Sequence, residues 1–320
     1  MDKLWGSIRN MVDNFHDFLG GLYSDRYLKW SLPIPSKLYH YTSYESAISI
    51  LKSKTVYLTH SDTKNDPTEV SICIKPLMQI LEDKILKSNG VEKKIYTTIS
   101  QKVEKDYSFY MSFKKEFTND TLGKHFYSFS LSEKEDDLSQ WVHYGHKTTG
   151  AFICFDFSKI FLKSGLISPS SCQWQIRFGR VEYDTSSSEF EQIVFDHLEY
   201  IVSYILQNSS DSNIDLYSGY IIEKLINQVS LYKHSSFNEE REWKLFHILD
   251  KCNFGRLNNP DKEKKVFEFQ LLGQEKLPVT DFKLGTNNPE EENVVANLLE
   301  KYGYRGILSK SKIPYRLKYD

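Results

Sequence analysis

Several things are scarce in this chain, and each absence narrows what it can be. Charge of one sign is missing: 43 acidic and 41 basic side chains among 320 residues leave a net charge of −2, neither an acidic tail nor the basic arm of a nucleic-acid binder. No apolar run approaches the roughly 20 residues that span a bilayer. A charged fraction of 26% and a mean hydropathy of −0.49 fit a soluble chain with no membrane partner. The four cysteines, Cys73, Cys154, Cys172 and Cys252, are widely spaced with no CxxC pair, which argues against a zinc ribbon or a dense disulfide framework. They read as reduced thiols. Residues 1–10 mix charge with apolar side chains instead of forming the continuous apolar stretch of a secretory signal, so the expected location is cytoplasmic. Neither GxGxxG nor a GxxxxGKS/T loop occurs, and no internal repeat or low-complexity tract appears.

What is abundant is aromatic: 21 Tyr and 20 Phe suit strands with stacking surfaces. At roughly 150 residues per domain the length allows two domains, or one large domain with insertions. Residues 1–35 read as an N-terminal helical appendage, with Leu4, Ile8, Met11, Val12, Phe15, Phe18 and Leu19 at helical spacing, Gly20-Gly21 as the stop and Pro33-Ile34-Pro35 as a link. Residues 36–320 read as a single α+β domain. Strands are expected at 37–41, 55–59, 126–132, 151–155, 175–183, 241–246 and 266–269, with a last one near 306–308. Helical insertions are expected at about 68–120 and, as a hairpin, at 187–234. Thr42 to Glu45 forms a capping box for a helix through Ala47, Ile50 and Leu51. Asp66-Pro67-Thr68-Glu69 reads as a second capped start, with Glu69 reaching back, and Asn288-Pro289-Glu290-Glu291 as a third. On this reading Asn65 and Asp66 are structural.

Three clusters carry candidate chemistry. His40-Tyr41-Thr42 places an imidazole and a hydroxyl at a strand exit beside a helix N-terminus, which favours anionic oxygen. Ser128, Ser130 and Ser132 share one face of a strand, followed by Trp141 and Tyr144 at i, i+3 spacing on a helix. Glu240-Arg241-Glu242, running into Trp243-Lys244, puts two carboxylates on one face of a late strand. Taken singly, each cluster also has an ordinary packing or solvated-edge role.

In this order, the three clusters resemble the active-site layout of the ADP-ribosyltransferase superfamily. That resemblance implies an ADP-ribosyltransferase-like split β-sheet with helical insertions, and NAD as the substrate. It also implies that Glu242 stabilises the oxocarbenium-like ribose cation, with Glu240 as the partner that orients or deprotonates the acceptor, the two roles being interchangeable. His40, with Tyr41 and Thr42, would contact ribose or pyrophosphate. Trp141 or Tyr144 would stack on nicotinamide or adenine, Ser130 would orient the glutamate, and Arg316 would meet a phosphate. The acceptor would be a protein, a nucleic acid or a small molecule, or water in a glycohydrolase, and no catalytic metal is expected. A bacterial toxin or antiphage effector role would suit such chemistry.

A second resemblance, over residues 36–318, is to the bacterial DUF2971 family of unknown function. It rests on Leu38-Tyr39-His40-Tyr41-Thr42, Asn65-Asp66-Pro67-Thr68-Glu69, Phe129-Ser130, Trp141-Val142-His143-Tyr144, Gly150, Phe237, Glu240-Arg241-Glu242-Trp243-Lys244 and Ser311-Lys312-Ile313-Pro314-Tyr315-Arg316. Lys244 stands where that pattern leads one to expect Arg, which weakens a bidentate role there. Two rival readings stay open. Glu242-x-Lys244 also fits half of a metal-dependent nuclease site, which would need an upstream aspartate such as Asp66 or Asp184. A non-catalytic module binding a nucleotide or a partner protein is the other. His143 and His146 lack a third ligand nearby and read as structural.

Overall fold

In the computed structural model the described residues are 35–66, 68–111, 124–156, 177–183, 188–208, 231–250, 266–270 and 277–317, with Ile214, Ser218, Ile222 and Ile226. The expected appendage at 1–35 falls almost wholly outside them. Nine strands are described: β1 Leu38–Thr42, β2 Thr55–His60, β3 Lys124–Ser132, β4 Ala151–Phe155, β5 Arg177–Arg180, β6 Glu242–Asp250, β7 Val266–Gln270, β8 Val279–Leu284 and β9 Leu308–Lys310. The helices are α1 Tyr44–Ser53, α2 Ser71–Lys87, α3 Gly90–Met111, α4 Leu138–His143, α5 Ser188–Asn208 and α6 Glu292–Lys301.

The strands form one open, mixed sheet in the order β5-β6-β3-β1-β4-β8-β9, with β2 pairing to both β3 and β7. All pairs are antiparallel except β8 with β9. The fold is therefore α+β, as the irregular alternation of strand and helix patterns implies. β3 is the spine. One edge pairs with β6 along its whole length, from Lys124 opposite Asp250 to Ser132 opposite Glu242. The other edge is shared, since β2 meets it at Tyr127 and Ser128 and β1 meets it at Ser132. Between those two partners the ladder opens, and the backbone of β3 must find other hydrogen bonds.

The continuous apolar run of β4 is buried at all five positions. Tyr39 and Tyr41 of β1 pack with Phe152 and Cys154 of β4 and with Trp141 of α4. Their rings meet edge to face, Tyr41 to Trp141 at 5.0 Å and Tyr39 to Phe152 at 5.2 Å, a geometry that adds to area burial. Gly150 joins the turn before β4 to the end of β1. A Cβ there would collide with the Thr42 carbonyl oxygen.

Helix starts differ from the sequence reading. Ser43, not Thr42, caps α1, accepting from the Ser46 amide at 3.1 Å. α2 begins at Ser71, after Val70 with a positive φ and no side-chain cap. Asp66 instead closes a turn, its Oδ1 accepting from the Thr68 amide and hydroxyl at 2.8 and 2.6 Å. α6 begins at Glu292, and Asn288 is used elsewhere, donating to the Gly150 carbonyl at 3.1 Å. β8 is a strand the sequence reading lacks. Of the expected hairpin at 187–234, α5 is described. Beyond it, Ile214, Ser218, Ile222 and Ile226 are described, all buried at four-residue spacing, and so are residues 231–234. Among the described residues, no helix is long and apolar enough to cross a membrane.

Candidate active site

Where β1 and β2 part along β3, a cleft of about 680 Å³ opens, within the usual size of a small-molecule site. Its wall takes residues from the end of β1, from α1, from β2 and the turn after it, from β3, from the α4 region and from the segment leading into β6. His40, Ser130 and Glu242 belong to three neighbouring strands, β1, β3 and β6, and all three line it.

The open ladder explains His40. Its Nδ1 lies 2.8 Å from the Ser130 carbonyl oxygen, a group left without a strand partner. The ring stacks on Phe129 at 4.1 Å. Burial pushes its pKa down to about 4, against the Ser130 hydrogen bond, with Lys64 lowering it further. The ring is neutral at ordinary pH. Because a carbonyl only accepts, Nδ1 carries the proton and Nε2 presents a bare lone pair. Nε2 is therefore free to accept a hydrogen bond from a hydroxyl, and the ring supplies no positive charge.

Below it runs a line of alternating charge. Lys233 reaches Glu240 at 2.6 Å and Glu242 at 3.2 Å. Lys244 reaches Glu69 at 2.6 Å and Glu242 at 3.7 Å. Burial opposes ionisation of Glu242, yet Lys244, Lys233 and Lys64, with the Ser130 hydroxyl, bring its pKa down to about 2. Burial is the largest single influence on the two ammonium groups and works against them, but the carboxylates together outweigh it, Glu242 with Glu240 and Glu69 at Lys233 and Glu242 with Glu69 at Lys244, so both pKa values are raised. Tyr144 donates to the other oxygen of Glu240; burial and then the Glu240 charge hold its phenol above the ordinary range. The backbone is fixed too. The Ser132 hydroxyl donates to the Glu240 carbonyl at 2.7 Å, and the Glu242 amide donates to the Tyr183 hydroxyl at 2.7 Å.

Lys64 lies on the same wall. Its ammonium donates to the Ser128 carbonyl and to the Ser130 hydroxyl, each at 3.2 Å. Burial lowers its pKa, partly offset by Glu69 and Glu242.

Most residues singled out from sequence meet at this cleft: His40, Tyr41, Thr42, Ser130, Tyr144, Glu240 and Glu242. The Tyr41 hydroxyl is already engaged, donating to the Lys134 carbonyl at 2.9 Å and accepting from the Asp137 amide at 3.1 Å. Trp141 does not reach the cleft. It is fully buried in the aromatic core, its indole N–H on Asp136 at 2.8 Å, so no face is open for stacking. Arg316 is exposed in the C-terminal segment and is absent from the cleft wall. Glu240 and Glu242 do not share a strand face, because β6 begins at Glu242. A short 3-10 turn, Ser235–Glu240, and the left-handed Arg241 at φ 45° aim Glu240 inward.

Lys64, Glu69 and Lys233 are site residues that sequence reasoning missed. Glu69 does not reach back to a helix cap; it is the buried partner of Lys244. Lys244 itself has no solvent exposure and is absent from the cleft wall, so it presents no ammonium to a water there, as a nuclease lysine would. Among the described residues, no group of three or more His, Cys, Asp or Glu side chains is placed to hold a metal ion.

A family model described as a protein of unknown function (DUF2971) matches residues 140–245, a narrower span than the motifs at 36–318 imply. The matched stretch runs from α4 to the start of β6 and includes Tyr144, Lys233, Glu240 and Glu242. No curated protein and no solved structure matches the chain significantly. Over about a third of its length, then, the chain is similar to a family whose function is unknown.

Proposed function

We propose that the cleft binds NAD and breaks its nicotinamide–ribose bond, transferring ADP-ribose to an acceptor or to water. One observation carries this reading: β1, β3 and β6 are neighbours in the sheet, and they bring His40, Ser130 and Glu242 onto one cleft. This juxtaposition corresponds to the His, Ser-rich strand and Glu order that resembles the ADP-ribosyltransferase superfamily.

The chemistry then follows from the side chains. A neutral His40 accepts a hydrogen bond from a ribose hydroxyl through Nε2. When the bond from the anomeric carbon to the nicotinamide nitrogen breaks, its electron pair leaves with nicotinamide and positive charge develops on the ribose. Glu242, ionised at any ordinary pH, is a fixed charge complementary to that cation and needs no reorganisation as the bond breaks. Glu240, half-buried and held by Tyr144 and Lys233, orients the incoming nucleophile. The bond that replaces the lost one runs from the anomeric carbon to an acceptor oxygen or nitrogen, whose proton is released to solvent by way of Glu240.

A second reading has its own support. Glu242 has only 6% of its side chain exposed and two lysines against it, an arrangement that suits a rigid binding module without turnover. Incubating the pure protein with NAD, with and without cell lysate, and following free nicotinamide and ADP-ribose adducts separates the two. Nicotinamide release without adducts identifies a glycohydrolase, and adducts formed with lysate identify a transferase. Binding of NAD without release in either condition supports the module.

A further inference from the structure

The charges around the cleft are unequally partnered. Glu69, Lys244, Glu242, Lys233 and Glu240 form a chain in which each group lies within 3.7 Å of the next. That chain holds three carboxylates and two ammonium groups. Lys64 contacts none of these carboxylates directly and is linked to Glu242 through the Ser130 hydroxyl: its two hydrogen bonds go to neutral oxygens, the Ser128 carbonyl and the Ser130 hydroxyl. An ammonium has three donors, so one N–H and a charge without a contacting carboxylate are left at the cleft wall. Beside it the Ser128 hydroxyl, fully buried and also lining the cleft, has no hydrogen-bond partner. Glu69 and Glu242 act on this cation only at longer range, so an anion in the cleft would give it the direct charge-assisted contact that it lacks.

Of the other basic groups near the cleft, His143 and His146 are solvent-exposed, and the rest are unsuited to it. His40 is neutral and offers a lone pair. Lys233 and Lys244 are each engaged by two carboxylates, and Arg316 is absent from the cleft wall. We propose that Lys64 is the phosphate anchor of this cleft, and that the ligand carries a phosphoryl group whose oxygen accepts the third N–H of Lys64. The choice of pyrophosphate as that group rests on the NAD reading above. The pyrophosphate would then sit on Lys64 while the ribose meets His40 and Glu242. The Lys64 amide donates to the Ser61 carbonyl at 3.2 Å, which fixes its backbone in the turn that follows β2.

Calorimetric titration of the full chain with inorganic pyrophosphate, ADP-ribose and adenosine tests this, using wild type, Lys64→Met, Lys64→Arg and the exposed control Lys147→Met. The expected result is that pyrophosphate and ADP-ribose bind wild type and Lys147→Met alike. Lys64→Met should weaken both by roughly ten- to hundredfold, the effect of one charge-assisted hydrogen bond, and Lys64→Arg should retain most of the affinity. Adenosine affinity should be equal in all four proteins. If wild type binds pyrophosphate but not ADP-ribose, and Lys64→Met loses that binding, Lys64 stands as the anchor and the NAD reading falls. If Lys64→Met binds ADP-ribose as tightly as wild type, or releases nicotinamide at an unchanged KM, the anchor is overturned while the NAD reading stands. Should Lys64→Met fail to fold, Lys64→Gln takes its place: pyrophosphate binding weakened as above supports the anchor, and affinity equal to wild type, or no pyrophosphate binding to wild type, overturns it.

Discussion

The Lys244 ammonium and the Glu69 carboxylate meet at 2.6 Å, 175 positions apart in sequence, with at most 2% of either side chain exposed. This pair ties the turn before α2 to the start of β6, and Lys244 in turn touches Glu242. Breaking a buried pair by removing one partner leaves an uncompensated charge, which costs about 3–5 kcal/mol. Lys244→Met and Glu69→Gln should each destabilise the fold by about that much in urea unfolding. The double variant should be less destabilised than the sum of the two. Additive losses would show that the two side chains are not coupled.

His40 gives the fold an acid dependence of known sign. Its pKa is about 4 in the folded protein against 6.5 for the free side chain, so the unfolded chain binds more protons between those values. The stability this contributes is fully present above about pH 6.5 and is lost as pH falls toward 4, by at most on the order of 3 kcal/mol. Denaturant unfolding of wild type and His40→Asn across that range should show a steeper fall for wild type. Parallel curves would mean that the imidazole is not held neutral.

Gly150 makes a purely steric prediction. A methyl group there would meet the Thr42 carbonyl oxygen and the backbone of Gly145, neither of which is the movable end of a flexible side chain. Gly150→Ala should cost more than about 2 kcal/mol in unfolding free energy. A neutral result would mean that the turn before β4 is not packed this closely against the end of β1.

The strands that build the cleft were legible because their apolar or alternating patterns are local. β1, β3 and the start of β6 follow directly from Leu38 to Thr42, Phe126 to Ser132 and Glu242 to Phe246. The charged network was not legible, since a lysine or glutamate normally reads as a solvated residue, and what buries Lys244 lies 175 positions away. The place of Trp141 is hidden from the sequence for a different reason. The i, i+3 rule puts it on one face with Tyr144 only while the helix continues, but α4 ends at His143 and Tyr144 leaves the helical path at φ −120°. Glu240 and Glu242 were expected to converge through strand alternation; they converge through a turn and a left-handed Arg241. β8 escaped notice because only Phe282 and Leu284 are buried in it, too few to set a period.

Tyr144 separates a catalytic Glu240 from a structural one. Tyr144→Phe removes one hydrogen bond to Glu240 and leaves the Lys233 pair intact. The expected effect is a loss of roughly tenfold in kcat for nicotinamide release, with thermal stability changed by no more than the roughly 1–2 kcal/mol of a lost hydrogen bond. An unchanged kcat would remove Glu240 from the chemistry.

The most direct test of the NAD reading is the kcat/KM of nicotinamide release from NAD for Glu242→Gln against wild type, with ADP-ribose affinity measured on the same samples. Each lysine beside Glu242 retains a carboxylate partner in that variant, Glu240 for Lys233 and Glu69 for Lys244, so the fold should persist. The account predicts that kcat/KM falls by at least roughly a hundredfold while ADP-ribose binding changes little. Equal turnover by the two proteins, or none by wild type, would contradict it.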